Sequence, residues 1–501
     1  MRVIKYSFQQ HGDERGQLVS LEEFKDIPFV IKRVYYMYDT LDGVSRGFHA
    51  HKFLEQIMIC IHGSCKVLLD NGSEKKVVNL EKPYEGLYVA NNMWREMYDF
   101  SKDAVLMVLA SDYYREEDYI RSYEEFLSYT YEMSEDKKME IDCNRLDYGF
   151  FQHQKELEEK AIEILRSGRY ILGEELERFE MEFAQFLGVK YCVGVGNGLD
   201  ALTMAFYLLG IGPGDEVLVP GNTFIASVMG ITRNGGIPIF VEPDEYYNID
   251  VDQIESHITK NTKAILAVHL YGQPAKMDSL MELAQNYGLK VVEDCAQSHG
   301  ADYMGKKTGS FGHISCFSFY PTKNLGGFGD GGALATDLCE ISEAAKCYRN
   351  YGSKIKYYNE VVGINSRLDE IQAGLLRIKL SYLETLIKRR RDICKRYSEK
   401  IKNDRIKLPL IQKEAEPVWH QYVIRTCQRE CLIDFLKRNG IQTLVHYPIP
   451  PHLSEAYSYL GIKEGQLPIT EQYARQVLSL PLYDGMSDEE VEYVIQVINR
   501  Y

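Results

Sequence analysis

The sequence predicts two folded parts in one chain: an all-β sandwich or barrel, then a larger α/β domain with a mostly parallel sheet and a smaller C-terminal subdomain. Three observations lead there. The chain has 501 residues, enough for two or three domains at about 150 residues each. Residues 1 to about 130 carry short apolar runs separated by turn signals, the texture of a β sandwich. From about residue 140 apolar strands alternate with amphipathic helices, the pattern of βαβ crossovers.

The strand signals of the first part are, in order, IKRVYYMYDT, EQIMICIHG, SCKVLLDNG, KKVVNL, GLYVA and AVLMVLAS. Asn71-Gly72 between two of them marks a hairpin. The stretch RSYEEFLSYTYEMSEDKKME turns polar and helical, so the first domain is placed at 1–135, a linker at 136–142 and the second domain at 143–501. In the second domain EVLVP, AILAVHL, KVVED and GGALAT read as strands, and QKELEEKAIEILRSG, ALTMAFYLLG and MDSLMELAQNYG as helices. A large subdomain is expected to about residue 375 and a small one over about 376–501, where the texture becomes helical and then mixed.

Composition narrows the function. A formal net charge of −15 argues against a nucleic-acid partner, which needs a basic face. The basic run Lys388–Arg391 reads as the solvated face of a helix. Eleven cysteines without a CxxC pair read as reduced thiols. The N-terminus lacks the apolar core of a signal peptide, and no apolar run approaches the ~20 residues of a membrane helix. A cytoplasmic protein without a membrane partner is expected.

The chemistry of the second domain starts from Lys323 in CFSFYPTKNLGGFGDGGALAT. Alone, such a lysine would be a surface residue. Asp294, however, ends the apolar strand of VVEDCAQSHG, at the edge where α/β sheets bind ligands. A carboxylate there can pair with a protonated pyridine nitrogen, the pairing that makes pyridoxal phosphate (PLP) an electron sink. YCVGVGNGLDALTMAFYLLG runs strand, Gly-rich turn, helix, and amides at such a helix start suit a phosphate. It is not GxGxxG, so a dinucleotide is disfavoured. Ser318 can add a phosphate contact.

The motifs NGLDAL, PGNTFIAS, HLYGQPA, VEDCAQSHGA, FSFYPTKNLGGFGDGG, GINSRLDEIQA and HYPIPPH, in this order, resemble the DegT/StrS family of sugar aminotransferases, with the fold type I PLP architecture. The resemblance implies that Lys323 holds PLP covalently and shuttles the proton, Asp294 holds the pyridine nitrogen, and Gln297 contacts the phenolic oxygen. Gly198, Leu199 and Ser318 would bind the phosphate, the first two through backbone amides. Phe224 would lie against the ring, and Asn365 would reach the phosphate of a neighbouring subunit in a homodimer or higher homo-oligomer. Leu199 stands where many members have Thr or Ser. Glutamate would be the amino donor. Some relatives carry histidine in place of the lysine and dehydrate; lysine here favours transamination.

In the first domain, RGFHAHKFLEQIMICIHG places His49 and His51 at alternate strand positions, hence on one face. Gly43, the HxH and Glu55 have the spacing of the first cupin motif, so the expected fold is a cupin jelly-roll. Two histidines and a carboxylate are a plausible metal set. Arg95 stands where a metal cupin adds its second-motif histidine and would repel the ion, so no metal is expected. Two core histidines are a further alternative; acid–base chemistry is the preferred one. IKRVYYMYDT, RGFHAHK, GSCKVLLD, GLYV, WREM and DYIRSYEEF resemble the sugar 3,4-ketoisomerases, small cupins acting on dTDP-4-keto-6-deoxyglucose. By that resemblance His51 is the base and His49 its partner, and Arg46 holds the diphosphate or polarises a carbonyl. Tyr36, from a neighbouring strand, is a further candidate. Many relatives have histidine at the position of Arg95, which bears on the face of carbon 4 that is protonated.

Together the halves predict a bifunctional enzyme on a dTDP-linked keto-sugar, an isomerase moving the ketone from carbon 4 to carbon 3 and a PLP aminotransferase aminating carbon 3. The product would be a dTDP-3-amino-3,6-dideoxyhexose. Two rivals stand beside this: a cupin epimerase with an aminotransferase working at carbon 4, and a cupin that only binds sugar.

Overall fold

The computed structural model describes residues 3–23, 25–41, 43–135 and 139–501. The chain divides into two compact units, Met1–Lys138 and Met139–Tyr501.

The N-terminal unit holds two five-stranded sheets. One runs in the order Ile4–Ser7, Glu85–Val89, Gln56–His62, Val105–Ala110, Arg33–Met37, and the other Tyr119–Ile120, Arg46–His51, Trp94–Tyr98, Cys65–Asp70, Lys75–Leu80. Every pairing is antiparallel. Met58, Cys60, Val67, Leu69, Leu87, Met97, Leu106 and Val108, drawn from both sheets, form one core. The Asn71-Gly72 signal is met: Asp70 pairs with Lys75, and Asn71 Oδ1 accepts the Ser73 and Glu74 N–H groups in the turn. The helix Tyr123–Glu135 sets Phe126 against Ala50, Trp94 and Ile120. Ala50 thus faces the helix, while His49 and His51, its neighbours on the strand, face the other way.

The second unit is built on a seven-stranded sheet, ordered Tyr191–Val195, Gly332–Thr336, Ile314–Ser318, Lys290–Asp294, Thr262–Val268, Glu216–Pro220, Ile237–Val241. The last five are mutually parallel, and Gly332–Thr336 runs against both neighbours.

Two boundaries differ from the sequence reading. The subdomain border expected near residue 375 falls inside one helix, Glu370–Lys400. Its first half packs Ala373, Leu376, Leu383 and Ile387 into one apolar cluster, and its second half packs Ile393, Cys394 and Tyr397 into another. One amphipathic helix serves two cores, so no break is written there. The expected linker 136–142 lies partly outside the described residues, and its remainder is not a linker. Ile141 is 1% exposed, pairs with Ile441, and exchanges backbone hydrogen bonds with Gly440 and Gln442. All eleven cysteines are free thiols. Among the described residues no helix is long and apolar enough to cross a membrane.

Candidate active sites

In the second unit the carboxyl ends of the parallel strands open into a cavity of about 490 Å³, as open α/β sheets dictate. Asp294, Lys323, Gln297, Ser318, Gly198 and Phe224 all line it, and so does Leu199. Asp294 is the last residue of its strand and buried. Its Oδ2 accepts the Ser227 hydroxyl at 2.8 Å and its Oδ1 the Ala296 N–H at 3.1 Å. Burial pushes the carboxyl up, against the pull of those two donors and of Lys323. Burial pushes Lys323 down to about 8, against the pull of Asp294. His299 and His446 are pushed down to about 3 and about 4, chiefly by burial and then by the Lys323 charge, so neutral imidazoles surround the pair.

Asn197 caps the helix Gly198–Leu208: its side-chain oxygen accepts the Asp200 N–H at 2.8 Å, and its backbone carbonyl accepts that of Ala201. The amides of Gly198 and Leu199 come first in the helix, where no intrahelical acceptor exists. A Cβ on Gly198 would lie 2.7 Å from Ser318 Cβ, so only glycine lets this turn close on the strand end. Ser366 braces the turn from a distance, accepting the Gly196 N–H at 2.9 Å and donating to Asp200 Oδ2 at 2.7 Å. Gln297 accepts the Tyr271 N–H at 2.6 Å and donates to the Tyr447 hydroxyl at 3.1 Å. The Phe224 ring lies 5.1 Å from that of Tyr447. Asn365 is exposed and is not among the residues lining this cavity.

These residues fit PLP. A buried carboxylate faces a lysine across the cavity, and a helix start with free amides and a hydroxyl stands at one wall. Asp294 would hold the pyridine nitrogen, the Gly198 and Leu199 amides with Ser318 the phosphate, and Lys323 the aldehyde carbon. Among the described residues one group has metal-ligand geometry, His269, Glu293 and Cys295. Two of its three donors, Glu293 and His269, are already engaged. Glu293 accepts the N–H groups of Gly309, Phe311 and Gly312, and His269 lies between Glu293 and the Ala275 N–H.

Residues 152–499 match the DegT/DnrJ/EryC1/StrS aminotransferase family. The chain belongs to that family. A dTDP-3-amino-3,6-dideoxy-alpha-D-galactopyranose transaminase of Aneurinibacillus thermoaerophilus is 52% identical over 351 residues, covering 70% of this chain and 96% of its own. A dTDP-3-amino-3,4,6-trideoxy-alpha-D-glucose transaminase of Streptomyces venezuelae is 47% identical over 340 residues, 68% of this chain and 90% of its own. Among solved structures, DesV of S. venezuelae superposes with a TM-score of 0.71 at 45% identity, over 72% of this chain and 98% of its own. NtdA of Bacillus subtilis, solved with bound cofactor PMP, gives 0.66 at 31% identity, over 70% and 82%. PLP is the cofactor of this aminotransferase. Residues 1–131 match the FdtA family, described as WxcM-like, C-terminal, so the aminotransferase carries an FdtA-like cupin domain at its N-terminus.

In that cupin domain the His49 and His51 rings lie 4.8 Å apart. Gly47, with φ 99° and a would-be Cβ 2.6 Å from the Arg95 carbonyl oxygen, permits the bulge that aims them. His51 is fully buried and shares a 2.8 Å hydrogen bond from Nδ1 with Asp118 Oδ2. The Tyr119 ring lies 4.2 Å from that of His51 and 5.0 Å from that of His49. Burial drives His49 down to about 3 and His51 to about 4. Arg95 is fully buried too, donating to Gln56 Oε1 at 2.7 Å and to the Met93 carbonyl. Burial lowers it only to about 10, so it stays a cation beside the histidines.

One expectation changes. Tyr36 does not lie on a strand beside the histidine pair. Its strand Arg33–Met37 belongs to the opposite sheet, and Tyr36 is 63% exposed, its ring 5.8 Å from that of Tyr38. The alternation that turns Tyr35 inward turns Tyr36 outward. Arg46, expected to hold the diphosphate or polarise a carbonyl, is exposed at the start of its strand; the charges of Arg33, Arg95 and Arg121 act on the histidines. Asp118, Tyr119, Ser227, Ser366 and Tyr447 were not singled out from the sequence, although DYIRS, PGNTFIAS, GINSRLDEIQA and HYPIPPH contain them.

Proposed function

We propose that the chain is bifunctional. The N-terminal domain isomerises dTDP-4-keto-6-deoxyglucose to the 3-keto sugar. The C-terminal domain then aminates carbon 3 with glutamate as donor, giving a dTDP-3-amino-3,6-dideoxyhexose. The observation that carries this reading is the joining, in one chain, of a buried histidine pair on a cupin strand to an aminotransferase 52% identical to an enzyme named for a dTDP-3-amino-3,6-dideoxy sugar.

In the isomerase site His51 Nε2 takes the proton of carbon 3. The resulting enediol is reprotonated at carbon 4, so that hydrogen leaves carbon 3 and its oxygen and arrives at carbon 4 and its oxygen. The neutral state of both histidines suits a base and its partner at neutral pH. Arg95, a fixed buried cation, favours the oxyanion character of the enediol.

In the aminotransferase site PLP, when bound, supplies an electron sink that acidifies the carbon bearing the amine. Asp294, held by Ser227 and the Ala296 N–H, keeps the ring nitrogen protonated. Lys323 Nζ, whose burial favours its neutral form, accepts a proton on one face and returns it at another carbon. Gln297, fixed between Tyr271 and Tyr447, orients the phenolic oxygen. Asn365, exposed and outside its own cavity, supports a homodimer in which it completes the partner's phosphate site.

The test is product analysis. Purified protein is incubated with PLP, glutamate and dTDP-4-keto-6-deoxyglucose, and the product identified by NMR. A 3-amino-3,6-dideoxy sugar is expected, its couplings reading the carbon-4 configuration. A 4-amino sugar would overturn the isomerase half. His51→Asn should stop the 3-amino product while a supplied 3-keto sugar is still aminated; unchanged product formation would make the cupin a binding module.

A further inference from the structure

We propose that Asp118 is the positioning residue of the isomerase site: its carboxylate keeps the proton on Nδ1 of His51, and so leaves Nε2 unprotonated as the base. This rests on the isomerase reading above and adds the residue that acts through His51.

The geometry leaves Asp118 little freedom. Its Oδ2 takes the His51 Nδ1 hydrogen bond at 2.8 Å and its Oδ1 accepts the Phe53 N–H at 2.7 Å, so both oxygens are committed. Its backbone carbonyl accepts the Lys52 N–H at 2.9 Å. Burial works against the charged carboxylate, but the His51 and Phe53 hydrogen bonds and the Arg95 charge outweigh it and hold Asp118 below the usual range. An ionised carboxylate accepts only, so the hydrogen in the His51–Asp118 bond sits on Nδ1. With the imidazole neutral, Nε2 then carries the lone pair. That nitrogen is buried and has no hydrogen-bond partner. A buried acceptor left unpaired calls for an explanation, and here the substrate proton that the base takes supplies one.

The pair is assembled by strand pairing, not by local sequence. Asp118 ends a short 3₁₀ turn, Glu116–Asp118, and the next two residues add a strand to the edge of Arg46–His51 with Tyr119 opposite His51. The charged and titratable groups acting on His51 are Arg33 from Arg33–Met37, His49 from its own strand, Arg95 from Trp94–Tyr98, and Asp118 and Tyr119. Asp118 is the one anion among them. An ion pair serving stability alone would need a charged imidazole, and burial keeps this one neutral.

The test uses the full-length protein without PLP or glutamate, following deuterium uptake at carbon 3 of dTDP-4-keto-6-deoxyglucose and the appearance of the 3-keto sugar. In Asp118→Asn the amide can donate to Nδ1 and shift the proton to Nε2. The expected result is a fall in kcat of about 10²–10⁴ with KM nearly unchanged. The acid limb of kcat/KM should move to lower pH, because the anion that favours protonated His51 is gone. Asp118→Glu should restore part of the rate, and amination of a supplied 3-keto sugar should be unaffected. In the unsubstituted protein, selective ¹⁵N-histidine labelling should show His51 protonated at Nδ1. An Nε2-protonated His51, an unchanged kcat in Asp118→Asn, or a loss without movement of the acid limb would overturn the proposal. If His51→Asn itself isomerises normally, the isomerase reading fails instead; if it is dead while Asp118→Asn is active, only the positioning role fails.

Discussion

The Ser227 hydroxyl lies 2.8 Å from Asp294 Oδ2, and the Thr223 hydroxyl lies 2.7 Å from that of Ser227. The start of one helix thus delivers a polar relay to the carboxylate at the end of a strand 67 residues on. A hydrogen bond to a charged group is worth about 1.5–3 kcal/mol. Ser227→Ala should therefore weaken PLP binding by roughly ten- to a hundredfold while leaving the lysine chemistry in place. Titration of the apoenzyme with PLP, followed by absorbance, checks this; an unchanged Kd would remove Ser227 from the cofactor site.

Lys323→Ala should abolish amino transfer from glutamate, with a loss of at least about 10³ in kcat. It should not touch isomerisation of the 4-keto sugar, because the lysine belongs to the other unit. Measuring both activities on the same preparation separates a chemical loss from a folding one.

The depressed Lys323 gives a pH prediction of definite sign. Only the neutral amine attacks an aldehyde, so capture of PLP by the apoenzyme should accelerate as pH rises through about 8 and then level off. An ordinary lysine would keep accelerating toward ~10.4. Stopped-flow measurement of capture from pH 6.5 to 10 distinguishes the two.

His51 predicts a limb of the same sign at lower pH. With its imidazole held at about 4, isomerisation should be flat near neutrality and fail only as pH falls toward that value. The linkage runs the same way. The unfolded chain binds a proton at about 6.5 and the folded one does not, so the N-terminal unit loses stability as pH falls from 6.5 toward 4. Rate and melting profiles across pH 4–8 check both; an acid limb near 6.5 would show an unshifted imidazole.

Gly198→Val should cost both cofactor and fold. Its Cβ would meet Ser318 Cβ at 2.7 Å, a clash with a strand and not with a flexible tip. Overpacking of this kind costs about 1–3 kcal/mol, and displacing the helix start removes amide contacts from the phosphate. A lower Tm with a PLP Kd raised at least about tenfold is expected. A variant with unchanged Kd would place the phosphate elsewhere.

The sequence by itself determined the order of elements, both fold classes and the chemistry carried by contiguous motifs. Period-2 and period-3.6 patterns are local, and the Gly-rich turn, the strand-end Asp294 and the lysine loop each sit within a few residues of the element that aims them. What only the tertiary structure decided is which distant segments meet. Asp118 reaches His51 because a two-residue strand adds to one edge, and Ser366 reaches the Gly196–Gly198 turn from 166 residues beyond Asp200. Tyr36 points away from the histidines because sheet membership and strand alternation, not proximity in the motif, set its direction. The helix Glu370–Lys400 hides a subdomain border because one continuous apolar stripe packs on two cores in turn. Register and strand order arise from the summed burial of whole sheets, and no window of the sequence contains them.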